Sequence, residues 1–206
     1  MDTAFLITGF VTLFVIIDPI GLTPMFVALT QGMPRPKRRS IALRGVIVAF
    51  FVLCMFALFG EAVLSFVGIS MPAFRVAGGL LLFLTALDML FQRRTKRRED
   101  QAEEDDHSDD PSVFPLGIPL IAGPGSIATV ILLSGQMPGW LGLSMTLGIT
   151  FAVLVIAFGL FLTADWLERA LGKTGINVVT RLLGMLLCAL AVQFVLDGLT
   201  AFGIAG

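Results

Sequence analysis

Apolar residues run along this chain in long blocks, not at the spacing of an amphipathic surface helix. Ala4 to Thr30, Ile41 to Val67, Met71 to Phe91, Val113 to Ser134, Gly139 to Leu162 and Val178 to Leu199 each read as one hydrophobic segment, close to the roughly 20 residues that a bilayer crossing needs. Stretches within them, such as Gly45 to Gly60 and Gly142 to Ala164, carry no charge. The period-two alternation of a barrel strand is absent. The pattern predicts an all-α polytopic membrane protein with six transmembrane helices.

Composition agrees: of 206 residues, 56% are hydrophobic and 14% charged, with a mean hydropathy of +0.93, too apolar for a soluble domain of this length. Met1 to Phe5 contains no Lys or Arg, and no small-residue cleavage site follows, so the first helix is expected to stay attached. Cys54 and Cys188 lie in apolar segments and read as small packing thiols.

The formal net charge of −1 conceals a segregation of sign. Arg35, Lys37, Arg38, Arg39 and Arg44 follow the first segment; Arg93, Arg94, Lys96, Arg97 and Arg98 follow the third; Arg169, Lys173 and Arg181 lie between the fifth and sixth. With six crossings these clusters share one face, Arg75 alone standing apart, and the positive-inside rule makes that face cytoplasmic. An inner (plasma) membrane protein is expected, with both termini outside. Trp140 and Trp166 fall near opposite ends of the fifth segment, as interfacial anchors do. Residues 92–112, basic and then acidic, read as a solvated cytoplasmic linker, in which His107 is given no role.

The linker separates two similar halves, 1–91 and 113–206. Asp18 to Pro34, DPIGLTPMFVALTQGMP, aligns with Ala122 to Pro138, AGPGSIATVILLSGQMP. Gly21 meets Gly125, Leu29 meets Leu133, and Met33-Pro34 meets Met137-Pro138. Further on, RVAGGLLL from Arg75 resembles RLLGMLLC from Arg181. Three crossings per half is an odd number, so the halves are expected to be inverted repeats, a common construction among secondary transporters.

Pro19, Gly21 and Pro24 in one half, and Gly123, Pro124 and Gly125 in the other, are expected to break the first and fourth segments near mid-membrane. Unwound backbone at that depth is tolerated only where it is buried in protein or faces a water-filled cavity, and matched breaks point to a substrate site. Thr23 before Pro24, and Ser126 after Gly125, read as N-caps of the half-helices that follow. Their amides would suit a carboxylate. Asp18 lies thirteen uncharged residues from Phe5, at about 1.5 Å each roughly 20 Å into the bilayer, where an ionised side chain costs at least ~2.5 kcal/mol. It is expected to hold a cation or a proton. A small zwitterion fits such a site, lined by Asp18, Pro19, Gly21, Thr23, Gly123, Pro124, Gly125, Ser126 and Thr129.

Arg75 and Arg181 read either as snorkelling to headgroups or as gating or coupling residues near each membrane face, with Asp88 a further coupling candidate. Glu61 is expected at the outer interface, and Asp165 with Arg169 as a solvated i, i+4 pair at the inner one. Gly78, Gly79 and Gly184 are expected to allow close helix approach.

The DPIGLTPMF stretch, the PLIAGPGSIAT stretch, the six-segment pattern and the charged central loop together resemble the MarC family of bacterial and archaeal integral membrane proteins, over essentially the whole chain outside 92–112. The resemblance implies a six-helix inner-membrane architecture related to amino-acid exporters, some members being described as transporters of small neutral amino acids such as alanine and glycine. Three readings compete: a secondary transporter coupled to protons or a cation, with a small-solute channel as its variant; a non-catalytic membrane scaffold or stress factor; and an intramembrane enzyme. The last lacks a nucleophile–base pair or metal ligands within the bilayer, so no catalytic or metal-binding residues are assigned. No nucleotide-binding loop is present, which disfavours ATP-driven pumping by this chain alone. The expected partners are a small zwitterionic solute and the lipid bilayer, with no cofactor and no nucleic acid; a homo-oligomer is left open.

Overall fold

The computed structural model of the chain describes residues 2–93, 110–137 and 139–203. His107, most of the charged linker and Pro138 of the second matched motif lie outside the described residues. All the regular elements described are helical: α1 Asp2–Ile17, α2 Pro19–Leu29, α3 Arg35–Val67, α4 Met71–Leu90, α5 Ser112–Ile121, α6 Pro124–Ser134, α7 Gly139–Leu162 and α8 Ala164–Ala201. Among the described residues, five spans are long and apolar enough to cross a membrane: Thr3–Leu29, Arg35–Val67, Met71–Leu90, Gly139–Leu162 and Thr174–Ala201. The α5–α6 pair makes a sixth if it is counted across its bend of 58°. The elements fall where the hydrophobic blocks place them.

Helix ends follow local chemistry. α3 stops where Gly68 turns left-handed (φ 81°), a conformation that costs an L side chain strain. The next turn starts with Ser70, whose hydroxyl accepts from the Ala73 amide at 3.3 Å, with Pro72 just inside α4. Within α8 the chain leaves helical geometry at Gly172 (φ 61°). Buried threonines return their hydroxyl protons to the preceding turn, as in Thr146 to Gly142 O and Thr150 to Thr146 O, both 2.8 Å. That removes the cost of an unpaired donor in an apolar interior.

The tightest pairing is α4 against α8. A Cβ at Gly79 would lie 2.9 Å from the Ala191 carbonyl oxygen, one at Gly198 would lie 3.0 Å from the Pro72 carbonyl oxygen, and one at Gly184 would lie 3.3 Å from the Ala86 carbonyl oxygen. The register runs Pro72 to Gly198 and Ala86 to Gly184, so the two helices are antiparallel. Small residues bring the backbones together, as in helix association within lipid. Around this pair the packing is reciprocal: α3 meets α5, α6 and α7, while α7 meets α1, α2 and α3; α2 meets α8 as α6 meets α4. The outer surface is apolar, with Phe51, Phe66 and Leu84 exposed on it, as suits a hydrocarbon environment and not water.

Candidate functional site: the two helix interruptions

The first interruption is a single residue. Asp18 separates α1 from α2 in the left-handed region (φ 56°, ψ 61°) while only 1% exposed. Its amide still bonds back to Phe14 O at 2.9 Å, and its carbonyl accepts from Leu22 at 2.9 Å, so the helical ladder passes through it. Aspartate tolerates this conformation better than most non-glycine residues because its short side chain bonds locally. Here Oδ1 accepts from the Gly21 amide at 3.0 Å. Pro19 follows as the first helical residue, where a missing N–H costs nothing. Gly21 is dictated by the same geometry, since a Cβ there would collide with the Asp18 carboxylate.

This corrects the expected cap. Thr23 lies inside α2, where its hydroxyl donates to Pro19 O at 3.0 Å, and Pro24 is internal to the same helix. The helix restarts one turn earlier than Thr23-Pro24 suggests, because an acid in the left-handed conformation caps it first.

The second interruption is longer. Within α5, Phe114 (φ −131°, ψ 126°) and Ile118 (φ −133°, ψ 125°) are extended, each preceding a proline, which pushes its neighbour out of helical geometry. The bonds Leu116 N to Pro111 O and Ala122 N to Gly117 O span five residues, so this is a wide-wound segment and not a regular helix. It is buried against α3, where a Cβ at Gly45 would lie 2.8 Å from Leu116 Cδ2 and 3.0 Å from Ser112 O. α6 then begins with Gly123 as N-cap, without a side-chain cap. Ser126, expected as the cap, instead donates its hydroxyl to Ile121 O (2.8 Å) and Gly123 O (3.0 Å), closing the bend from inside. Thr129 donates to Gly125 O at 2.8 Å.

The two interruptions meet. A Cβ at Gly125 would lie 2.7 Å from Ile16 Cδ1 and 3.9 Å from Leu82 Cδ2, so the start of α6 rests on the residue two before Asp18 and on the middle of α4. Asp18, Pro19, Thr23, Ser126 and Thr129 are buried; Gly21, Gly123 and Gly125 are half-buried, and Pro124 is exposed. Ile16 and Leu82 carried no polar signal in the sequence and were not anticipated there.

The charged candidates stand apart. Arg75, half-buried in the second turn of α4 with Nε lacking a hydrogen-bond partner, and half-buried Asp88 each lie about two turns from Leu82, on opposite sides of it. Arg181 is exposed on α8.

At the arginine-bearing end the expected Asp165–Arg169 pair is replaced by a longer-range contact. Arg38 Nη1 and Nη2 bond Asp165 Oδ2 and Oδ1, both at 2.9 Å, joining α3 to α8. Arg169 Nε donates to the Asp165 backbone carbonyl at 2.8 Å. The Arg38 hydrogen bond, with attraction from Arg38, Arg169 and Arg35, outweighs burial and holds the Asp165 carboxyl below the usual carboxylate range. A planar guanidinium can serve two carboxylate oxygens at once, which a side chain four residues along the same helix cannot match here. The Arg38 guanidinium also sits 5.7 Å from the centre of the Phe26 ring, itself stacked on Phe161 at 4.9 Å.

The MarC family model, that of MarC family integral membrane proteins, matches residues 3–202. A UPF0056 membrane protein of Methanocaldococcus jannaschii, MJ1677, is 36% identical over 97% of this chain and 98% of its own length. A second protein of that archaeon, UPF0056 membrane protein MJ0972, is 41% identical over 95% of this chain and 86% of its own. UPF0056 membrane protein YvbG of Bacillus subtilis is 37% identical over 97% and 96%. No solved structure matches the chain. The chain belongs to the MarC family of integral membrane proteins.

Proposed function

We propose that this protein is a secondary transporter of small neutral amino acids of the alanine and glycine class, coupled to protons or a cation through Asp18 and alternating around the paired interruptions. One observation carries the reading: two helix breaks from separate halves of the chain touch at Ile16 and Gly125, beside a carboxylate that is 1% exposed. An acid kept at that depth is expensive, and intramembrane acids with broken helices are the usual equipment of ion-coupled transport. The α6 N-terminus, uncapped by any side chain, supplies the positive pole for a solute carboxylate.

The inverted repeat belongs to this proposal. α2 and α6 are each 11 residues long. α3 and α7 start 104 residues apart, the offset of the matched motifs, and so do the left-handed glycines Gly68 and Gly172. Exchanging α1–α4 for α5–α8 maps most of the reciprocal contacts onto one another. α5–α6 reads as a broken span and not a re-entrant hairpin. Leu116 packs at Gly45 while Ile131 packs at Gly60, points along α3 that are about 22 Å apart. With the arginine end in the cytoplasm, both termini and Trp140 face outward.

A scaffold reading draws on a different observation: the hydroxyls of Thr23, Ser126 and Thr129 are all spent on local carbonyls. Uptake of labelled alanine and glycine into proteoliposomes, with and without a proton gradient, decides between the two. Transport predicts saturable, gradient-sensitive uptake that Asp18→Asn abolishes, and a thermal stabilisation by the transported solute. Equal counts in empty and protein-bearing vesicles, with no solute shifting the melting temperature, favour the scaffold. Flux that neither saturates nor follows the gradient indicates a channel.

A further inference from the structure

Two polar-lined cavities lie at opposite ends of the helix bundle, away from Asp18. One, of about 370 Å³, is bordered by Arg35, Arg38, Arg39, Phe161, Leu162 and Asp165 among others. The other, of about 430 Å³, is bordered by Ala57, Leu58, Glu61, Ser134, Gly139 and Leu143 among others. Shifted by 104 residues, five of their bordering positions coincide. Ala57, Leu58 and Glu61 correspond to Phe161, Leu162 and Asp165, while Gly139 and Leu143 correspond to Arg35 and Arg39. The two cavities thus share five equivalent bordering positions, with a carboxylate at the same place in each.

They differ in what closes them. At the arginine end Arg38 clamps Asp165 over the stacked Phe26–Phe161 pair. At the opposite end the counterparts of Phe26 and Phe161 are Val130 and Ala57, and the counterpart of Arg38 is Gly142. A side chain cannot simply be added there, since a Cβ at Gly142 would collide with the Met137 backbone. Glu61 stays exposed.

We infer that the two cavities are the inner and outer mouths of one route past the interruptions, the inner mouth latched by Arg38–Asp165 over Phe26–Phe161 and the outer mouth carrying Glu61 as the unlatched counterpart of Asp165. The inference rests on the transport reading. It assigns gating to residues other than Arg75, Asp88 and Arg181. Bidentate geometry suits a latch: two short bonds hold while the guanidinium stays in plane and are lost together when α3 and α8 part. The equivalent acids give each mouth one carboxyl group; among the described residues the inner one is ion-paired, by Arg38, and no ion pair is formed at Glu61.

Accessibility tests this without any solute. With Cys54 and Cys188 replaced by alanine, Ala164→Cys places a thiol at a position with 0% exposure beside the latch. In inside-out vesicles, modification by a membrane-impermeant maleimide is expected to be slow. It should speed up several-fold with Arg38→Gln or Asp165→Asn, and return to slow in the charge-swapped Arg38→Asp/Asp165→Arg protein. Glu61→Gln should leave it slow. Amide hydrogen exchange over residues 158–166 in the otherwise native protein gives the same comparison should the cysteine variant not fold. Equal rates with the pair intact, broken and swapped, in both measurements, overturn the latch. A latch that governs labelling in a protein that moves no solute removes the transport reading and the route with it, leaving the pair as a structural tie; solute flux with indifferent labelling removes the latch alone.

Discussion

At the scale of the residue, Asp18 and its glycine decide the first interruption. The carboxylate caps α2 through the Gly21 amide, and the absence of a Cβ at Gly21 leaves it room to do so. Gly21→Ala is therefore expected to displace the carboxylate and lose the cap, at a cost of about 1 kcal/mol or more, read as a lower melting temperature in detergent. Gly125→Ala meets apolar side-chain atoms, Cδ1 and Cγ1 of buried Ile16. It overpacks that contact at about 1–3 kcal/mol but removes no cap, so rescue of Gly125→Ala by the smaller Ile16→Val, and no such rescue of Gly21→Ala, is the testable outcome. DPIG was legible as a break in the sequence, yet the capping residue was placed at Thr23. Local rules rank Asp18-Pro19 at least as high as Thr23-Pro24 for a cap; what they do not choose is which of the two acts when both lie in one apolar segment.

At the scale of the element, the α4–α8 pair is set by glycines that face backbone as well as side chains of the partner helix. Gly79→Ala would bring a methyl within 2.9 Å of the Ala191 carbonyl and 3.0 Å of the Val195 amide nitrogen. No rotamer relieves that, so the helices must separate, at about 1–3 kcal/mol. Gly148→Ala, on α7 with nothing within 4 Å, is the matched control and should leave the melting temperature unchanged or raised. Gly78, Gly79 and Gly184 were marked as close-approach residues from sequence, because small residues in an apolar span have few other uses. Their partners were not legible, since a glycine pattern names no facing helix. In the same way the prolines of α5 announced irregularity, but not that it would extend over ten residues packed on Gly45.

At the scale of the whole molecule, the Arg38–Asp165 pair ties α3 to α8 across 127 positions of the chain. Because the folded carboxyl titrates below its unfolded value, the pair's stabilisation is fully present above about pH 4 and is lost as pH falls through the depressed folded value. Melting temperature should fall on acidification below that point, and fall less steeply in Asp165→Asn. The partners are partly exposed, at 19% and 44% for the two side chains, so a double-mutant cycle should return a coupling of about 1 kcal/mol, smaller at high salt. Cutting the chain between the halves should weaken their association further when Arg38 is replaced, measurable by co-purification of separately tagged fragments.

The sequence by itself determined the membrane-spanning class, the positions of the helical blocks and the segregation of charge, and it marked the proline- and glycine-rich stretches as irregular. Each of these follows from short-range chemistry: the length of an apolar run, the missing N–H of proline, the freedom of glycine. Only the tertiary structure decided that Ile16 and Gly125 touch, that Arg38 and not Arg169 holds Asp165, and that Glu61 and Asp165 border matching cavities. The first two are contacts between residues more than a hundred positions apart, and the choice among many chemically similar partners is made by which helices close packing brings side by side.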